Sequence, residues 1–342
     1  MKLTMFTRYN TLGASSRYRY YIYAAHMRDA GEQVNVSPFF SEQYLRCLYK
    51  GRRVGIFNIL KSYWQRFKAL LHADDNLLIE YELFPFLPYW VEKIFLKRRK
   101  YILNFDDNVW EKYRGKIFLS GKYDVLVRNA AGIIIANDFL YEKVSKLNDN
   151  VIKIPTVVDL DLYRIKTNKF DKFTLVWIGT PVTYMYLEKY SDTLRQLAKK
   201  YNFELLVIAR KSLEKRRIEG VNMRFENWSQ ESEIELLLKS HVGIMPLTND
   251  EFSKGKSAFK LIQYSAAGLP VIASPVGENI NVVDDGKTGF LADSPDEWLQ
   301  ALGKLIDDKK LYSRMAKNSR KASENYSIQK YFPIIQNFIK NC

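Results

Sequence analysis

A chain of 342 residues, 47% hydrophobic and 27% charged, has the composition of a soluble globular protein and the length for two domains. Its 53 Lys and Arg against 38 Asp and Glu leave a net charge of +15. That charge favours polyanionic partners: nucleic acid, an anionic membrane face or phosphorylated ligands. Two cysteines, Cys47 and Cys342, exclude a disulfide framework, and His26, His72 and His241 lack metal-ligand spacing.

Apolar runs at Leu3–Phe6, Leu77–Tyr81, Tyr101–Phe105, Ile133–Ala136 and Val151–Ile154 predict strands in the first half. They do not alternate strictly, which is the signature of parallel strands buried on both faces. The opening run is too short for a signal peptide, and no stretch is long enough to span a bilayer. The cytoplasm is therefore expected, with the inner membrane face left open. After the first strand comes Gly13-Ala14-Ser15-Ser16-Arg17-Tyr18-Arg19. A glycine and serine loop before a helix can offer N–H groups to an anion, and Arg17 and Arg19 can add charge-assisted bonds. A helix cap with exposed arginines explains the same residues.

Between Tyr44 and Leu71 stand seven basic residues, no acidic ones and six aromatics: Tyr44, Tyr49, Phe57, Tyr63, Trp64 and Phe67. Lys97-Arg98-Arg99-Lys100 adds a second basic run. The pattern suits an anionic membrane or single-stranded nucleic acid, and equally a solvated helix with its rings turned inward. Asp106 and Asp107 follow a strand, where they can face a ligand or start a helix. Asn137, at the polar end of another strand, is a further candidate for the same edge.

A polar stretch from Arg164 to Lys172 marks the domain boundary. Beyond it, strands are predicted at Phe173–Ile178, Glu204–Ala209, Val242–Met245 and Val271–Ala273. Gly179 follows the first of these and lets backbone approach a phosphate, or simply makes a tight turn. Arg210 and Lys211 end the second. In Lys254–Gly277, Ser257 is expected to cap a helix running through Ala267, with Gly268 and Pro270 as its stop. Lys256 and Lys260 stand near its start, where the helix dipole favours an anion. Lys260, Gln263, Tyr264 and Ala267 share one face. The plain alternative is a capped helix packed between two strands. Asp284–Leu291 is expected as a structural turn, and Tyr331–Ile339 as a packed helix.

The stretch Lys260-Leu261-Ile262-Gln263-Tyr264-Ser265-Ala266-Ala267-Gly268-Leu269-Pro270-Val271 resembles the donor-binding region of retaining glycosyltransferases of family 4. Where that family carries an acidic residue for the nucleotide ribose, this chain has Gln263, which can accept or donate one hydrogen bond without the charge. A second family glutamate is replaced by Gly255. The resemblance implies an α/β fold of GT-B architecture, two doubly wound Rossmann-like domains facing across a cleft. Residues 1–165 would hold the acceptor and 166–325 the nucleotide sugar. Residues 326–342 would form a helix packing back on the N-terminal domain.

The donor set implied is Gly13, Arg17, Gly179, Arg210, Lys211, Lys256, Lys260, Leu261 and Gln263. Asp106 and Asp107 would contact the acceptor or the reacting sugar. The implied reaction is metal-independent, retaining hexosyl transfer from a UDP- or GDP-linked sugar, without a cofactor. Its acceptor would be a glycan or lipid-linked molecule of cell-surface polysaccharide synthesis, at an anionic membrane surface. Two other classes stay open: a non-catalytic sugar-nucleotide or glycan-binding protein, and a nucleic-acid-binding protein argued from charge alone. No nucleic-acid-binding motif supports the last, so no nucleic acid is expected as partner.

Overall fold

The computed structural model describes residues 1–49 and 54–342, and the chain divides into two compact units. The first comprises Met1–Val157, Gly255–Ser257 and Ile328–Cys342; the second comprises Val158–Lys254 and Ala258–Ser327.

In the first unit, β1 (Lys2–Thr7), β2 (Gln33–Pro38), β3 (Asn76–Glu80), β4 (Lys100–Phe105), β5 (Gly132–Ile135) and β6 (Val151–Lys153) form one sheet. Its order is β2-β1-β3-β4-β5-β6, with every pair parallel. Parallel neighbours require crossover connections, and the helices in those connections cover both faces. Each central strand therefore feeds two cores. Ile79, Leu103 and Ile133 pack on one side of the sheet, and Leu78, Ile102 and Ile134 on the other. The last helix, Ile328–Asn341, buries Ile328, Ile335 and Ile339 in the second of these cores.

In the second unit, β7 (Thr174–Ile178), β8 (Glu204–Ala209), β9 (Met223–Asn227), β10 (Val242–Met245), β11 (Val271–Ala273) and β12 (Gly289–Leu291) form a sheet of order β12-β11-β10-β7-β8-β9. It too is parallel throughout. Counted from its own first strand, this is the doubly wound order 3-2-1-4-5-6. The segment expected as a plain turn at Asp284–Leu291 ends in the edge strand β12.

The winding direction reverses between β1 and β3 in the first unit, and between β7 and β10 in the second. Loops leaving the carboxyl ends of those strands diverge to opposite faces and open a crevice, which is where such sheets hold ligands.

Candidate active site

At the reversal point of the second unit, β7 runs directly into Gly179, whose N–H donates to the Ile208 carbonyl at 3.1 Å. A Cβ here would lie 2.3 Å from the Trp177 ring and 2.8 Å from Thr183 Oγ1. Only glycine fits, and it leaves bare backbone at the sheet edge. One strand over, Arg210 is half-buried at the end of β8. Lys211 is exposed at the start of a 3₁₀ turn, Lys211–Arg216, its N–H held by Asn227 Oδ1 at 2.8 Å. Of the pair predicted together, Arg210 has the partial burial that strengthens a charge contact.

The helix connecting β10 to β11 is Phe259–Ala266. It starts later than expected: Ala258, in the left-handed region at φ +51, precedes it, and Ser257 supplies no cap. Lys256 is thus not a helix residue but lies buried in the segment before it. Lys260 sits in the first turn, half-buried, with Nζ 5.6 Å from the Trp177 ring centroid. The face shared by Lys260, Gln263 and Tyr264 is mostly turned inward. Tyr264 Oη accepts the Ile178 N–H at 3.0 Å, and its ring occupies the space a side chain at Gly243 would need. This fixes the helix against β7 and β10. Gln263 is buried on the same helix. Leu261, expected at the donor, is instead fully buried in the core. Its side chain has no surface to offer a ligand. Just beyond the helix, Gly268 takes φ +67 and accommodates the turn toward Pro270.

At the reversal point of the first unit, Gly13 opens a helical turn, Ala14–Ser16, and a Cβ on it would lie 2.5 Å from Tyr9 Cβ. A π-helical turn, Arg17–Tyr21, follows. The Arg17 guanidinium is largely buried, donates to the Thr11 carbonyl at 3.3 Å and lies 4.6 Å from the Tyr18 ring. Arg19 is not available to a phosphate as expected. It is buried, with Nε donating to Asn104 Oδ1 at 2.7 Å and Nη1 to the Ile154 carbonyl at 3.0 Å.

Glu80, which sequence reasoning passed over, is at the centre of this edge. Its Oε2 accepts the Ser16 hydroxyl and the Arg8 N–H, both at 2.6 Å, while Oε1 is buried without a hydrogen-bond partner. The next residue, Tyr81, adopts φ +63 and donates its hydroxyl to Asp106 Oδ1. Asp106 is buried and Asp107 half-buried. The following helical turn, Val109–Tyr113, has Asn108 at its cap position without a side-chain cap bond. The Asp pair therefore does not serve as a helix cap. The signal for Glu80 was present in Glu80-Tyr81-Glu82, three polar residues ending an apolar strand.

Burial, with the nearby Asp106 charge adding to it, pushes the Glu80 carboxyl up to about 7 despite the bonds from Ser16 and Arg8. A proton is then held by the folded state and released on unfolding at intermediate pH. This contribution to stability is complete below the unfolded value near 4.5 and is lost as pH rises through about 7. The loss is roughly 3 kcal/mol, since each tenfold difference in proton affinity is worth about 1.4 kcal/mol. Urea unfolding between pH 5 and 8 should show this decline, and Glu80→Gln should flatten it.

Asn137 is a structural residue rather than a ligand contact. Its Oδ1 accepts the Leu140 N–H at 2.9 Å, capping the helix Asp138–Val144, and its Nδ2 donates to the Gly255 carbonyl at 2.9 Å. Gly255 itself has no room for a glutamate: a Cβ would lie 2.4 Å from Asn108 Cβ and 3.1 Å from Asn108 N. Gly255→Ala is expected to cost about 1–3 kcal/mol through overpacking, read as a lowered urea midpoint with unchanged slope.

Residues 172–308 match the family model described as "Glycosyl transferases group 1". An uncharacterized glycosyltransferase of Haemophilus influenzae is 24% identical over 319 residues, covering 86% of this chain and 85% of that protein. Among solved structures, Anabaena HepE in complex with UDP-glucose superposes with a TM-score of 0.74 at 14% identity, covering 100% of both chains. Sucrose-phosphate synthase from Thermosynechococcus elongatus gives 0.71 at 14% identity, covering 100% of this chain and 99% of that one. Residues 172–308 thus carry a group 1 glycosyltransferase domain, the whole chain has the GT-B fold, and together these matches support a glycosyltransferase of the GT-B type.

Proposed function

We propose that this protein transfers a sugar from a nucleoside diphosphate sugar to a hydroxyl acceptor with retention, in the synthesis of cell-surface polysaccharide or lipid-linked glycan. The observation that carries the reading is the reversal point of the second unit. There, bare backbone at Gly179, the half-buried Arg210 and the first-turn Lys260 gather at the carboxyl edge of a doubly wound sheet. They lie within the matched glycosyltransferase domain. Anabaena HepE, of the same fold, binds UDP and UDP-glucose, and this favours a UDP-linked donor here.

Breaking the anomeric C–O bond places the new charge on the diphosphate. Lys260, Arg210 and Lys256 are assigned to stabilise it, since cations in a partly desolvated site act on charge that develops during reaction. The departing phosphate oxygen takes the acceptor proton on the face it leaves, which retains the anomeric configuration. Buried Gln263 is assigned one hydrogen bond to the ribose. Asp106 and Asp107 are assigned to the acceptor, with Tyr81 orienting Asp106.

The experiment is incubation with UDP- and GDP-linked sugars and simple glycoside acceptors, following diphosphate release and the anomeric proton of the product by NMR. Release of one nucleoside diphosphate with an axial-to-axial outcome supports the reading. An inverted product overturns the retaining mechanism. No release with any donor–acceptor pair, from protein that binds a nucleotide sugar, favours the non-catalytic alternative.

A further inference from the structure

Most exposed apolar side chains of the first unit fall on three segments. The helix Ile56–Leu71 turns Ser62, Arg66 and Leu70 inward, yet its opposite face is apolar as well. Phe57, Leu60, Trp64 and Leu71 recur at helical spacing on that outer face, with Phe57 83% exposed. Phe67 on the same helix meets Phe95 edge-on at 5.8 Å and so joins it to the helix Tyr89–Leu96. That second helix presents Trp90, 66% exposed, and Ile94. Pro85, in the loop preceding it, accepts the Tyr63 hydroxyl from the first helix. Phe86 in that loop packs against Tyr113 at 5.9 Å, leading to a turn where Ile117 and Phe118 are 89% and 81% exposed. One continuous apolar face thus draws on three separate segments, which is more than isolated surface hydrophobics provide.

The exposed charges on the two helices are all cationic, while Asp74 and Asp75 follow the end of the first helix and Glu111 pairs with Arg114 at 2.9 Å. Lys61 and Lys68 border the outer face of the first helix, with Lys68 Nζ 5.3 Å from the Trp64 ring. Lys93 and Lys97 share the face of Trp90 and Ile94, and Lys116 precedes Ile117. Glu92, the one carboxylate on these two helices, is buried, as are Glu80, Glu82 and Asp106. Lysine is depleted in protein–protein interfaces. Lysines whose stems lie along apolar rings, heads outward, belong to the membrane–water boundary. No described helix is long and apolar enough to cross a membrane.

We infer that the face formed by Ile56–Leu71, Tyr89–Leu96 and the Lys116–Phe118 turn docks on an anionic lipid bilayer. The rings and aliphatic chains enter the headgroup region, and the lysines bind lipid phosphates. Of the aromatic segment read from sequence, Phe57, Trp64 and the half-buried Phe67 belong to this face and Tyr63 lies beneath it, while Lys50–Arg53 lie outside the described residues. The inference rests on exposure and charge, independently of the donor reading.

The test is co-sedimentation of the full chain with vesicles of phosphatidylcholine alone or mixed equally with phosphatidylglycerol. Binding to the mixed vesicles is expected, weakened by salt and absent with phosphatidylcholine alone. Trp90→Ser/Ile94→Ser and Ile117→Ser/Phe118→Ser alter exposed residues, so their melting should not change, while each pair should weaken vesicle binding about tenfold or more. Folded wild type that does not sediment with the mixed vesicles would overturn the inference. So would undiminished binding by both variants, or a wild-type dimer in gel filtration that either variant converts to monomer.

Discussion

Lys122→Ala is expected to lower the stability of the protein by about 3–5 kcal/mol, the cost of leaving buried charges unpaired. The Lys122 side chain is fully buried, and Nζ lies 2.8 Å from Glu82 Oε2 and 2.6 Å from Glu92 Oε1. It also donates to the Phe84 carbonyl at 2.7 Å. Glu82 accepts hydroxyls from Tyr113 and Tyr123, and Glu92 accepts the N–H groups of Leu83 and Phe84 at 3.0 Å. These bonds hold the chain just after β3, where Tyr81 reaches Asp106. Lys122, Lys112 and Arg8 keep Glu82 low in its range against burial, while burial pushes Glu92 up. Without Lys122 the buried Glu92 loses its cation beside Glu82, which keeps Lys112 at 3.2 Å. Adding Glu92→Gln should therefore recover part of the loss, a non-additivity that urea midpoints of the single and double variants would reveal. A loss below about 1 kcal/mol in Lys122→Ala would mean that the network is hydrated.

Lys260→Ala is expected to lower kcat/KM by about a hundredfold or more, the usual scale for removing one preorganised charge from a developing oxyanion. Its side chain is half-buried and lies outside the core, so the melting temperature should hardly move. Lys260→Arg should retain more activity than alanine because the charge persists. The exposed Lys211 supplies a contrast: Lys211→Ala should lose far less. Equal losses in both lysine variants would point to a diffuse field rather than a placed charge.

Much of this architecture is readable from the chain. Strands predicted at Glu204–Ala209, Val242–Met245 and Val271–Ala273 occupy those same residues, because buried parallel strands leave continuous apolar runs. The strands passed over, β2, β9 and β12, all lie at sheet edges. There one side meets solvent, and polar residues such as Asn35, Arg224 and Glu226 interrupt the apolar run.

The site was legible in outline and not in detail. Glycines at strand ends and lysines near a helix start are local signals. That Tyr264 turns inward depends on Gly243, and that Gly255 cannot carry a side chain depends on Asn108, both contacts between segments distant in sequence. Glu80 is held by Ser16 and Arg8, more than sixty residues away, inside a core that no local pattern announces. The late helix start follows from the left-handed Ala258, which no residue pattern announces.

On this reading the second unit binds a nucleoside diphosphate sugar at Gly179, Arg210 and Lys260. Calorimetric titration of the full chain with UDP, GDP, ADP, CMP and their sugars, repeated on Lys260→Ala, tests it most directly. Binding of one diphosphate nucleotide and its sugar, with UDP expected, and clear weakening in the variant is the predicted result. Folded wild type that binds none of them, or Lys260→Ala that binds as tightly as wild type, would contradict it.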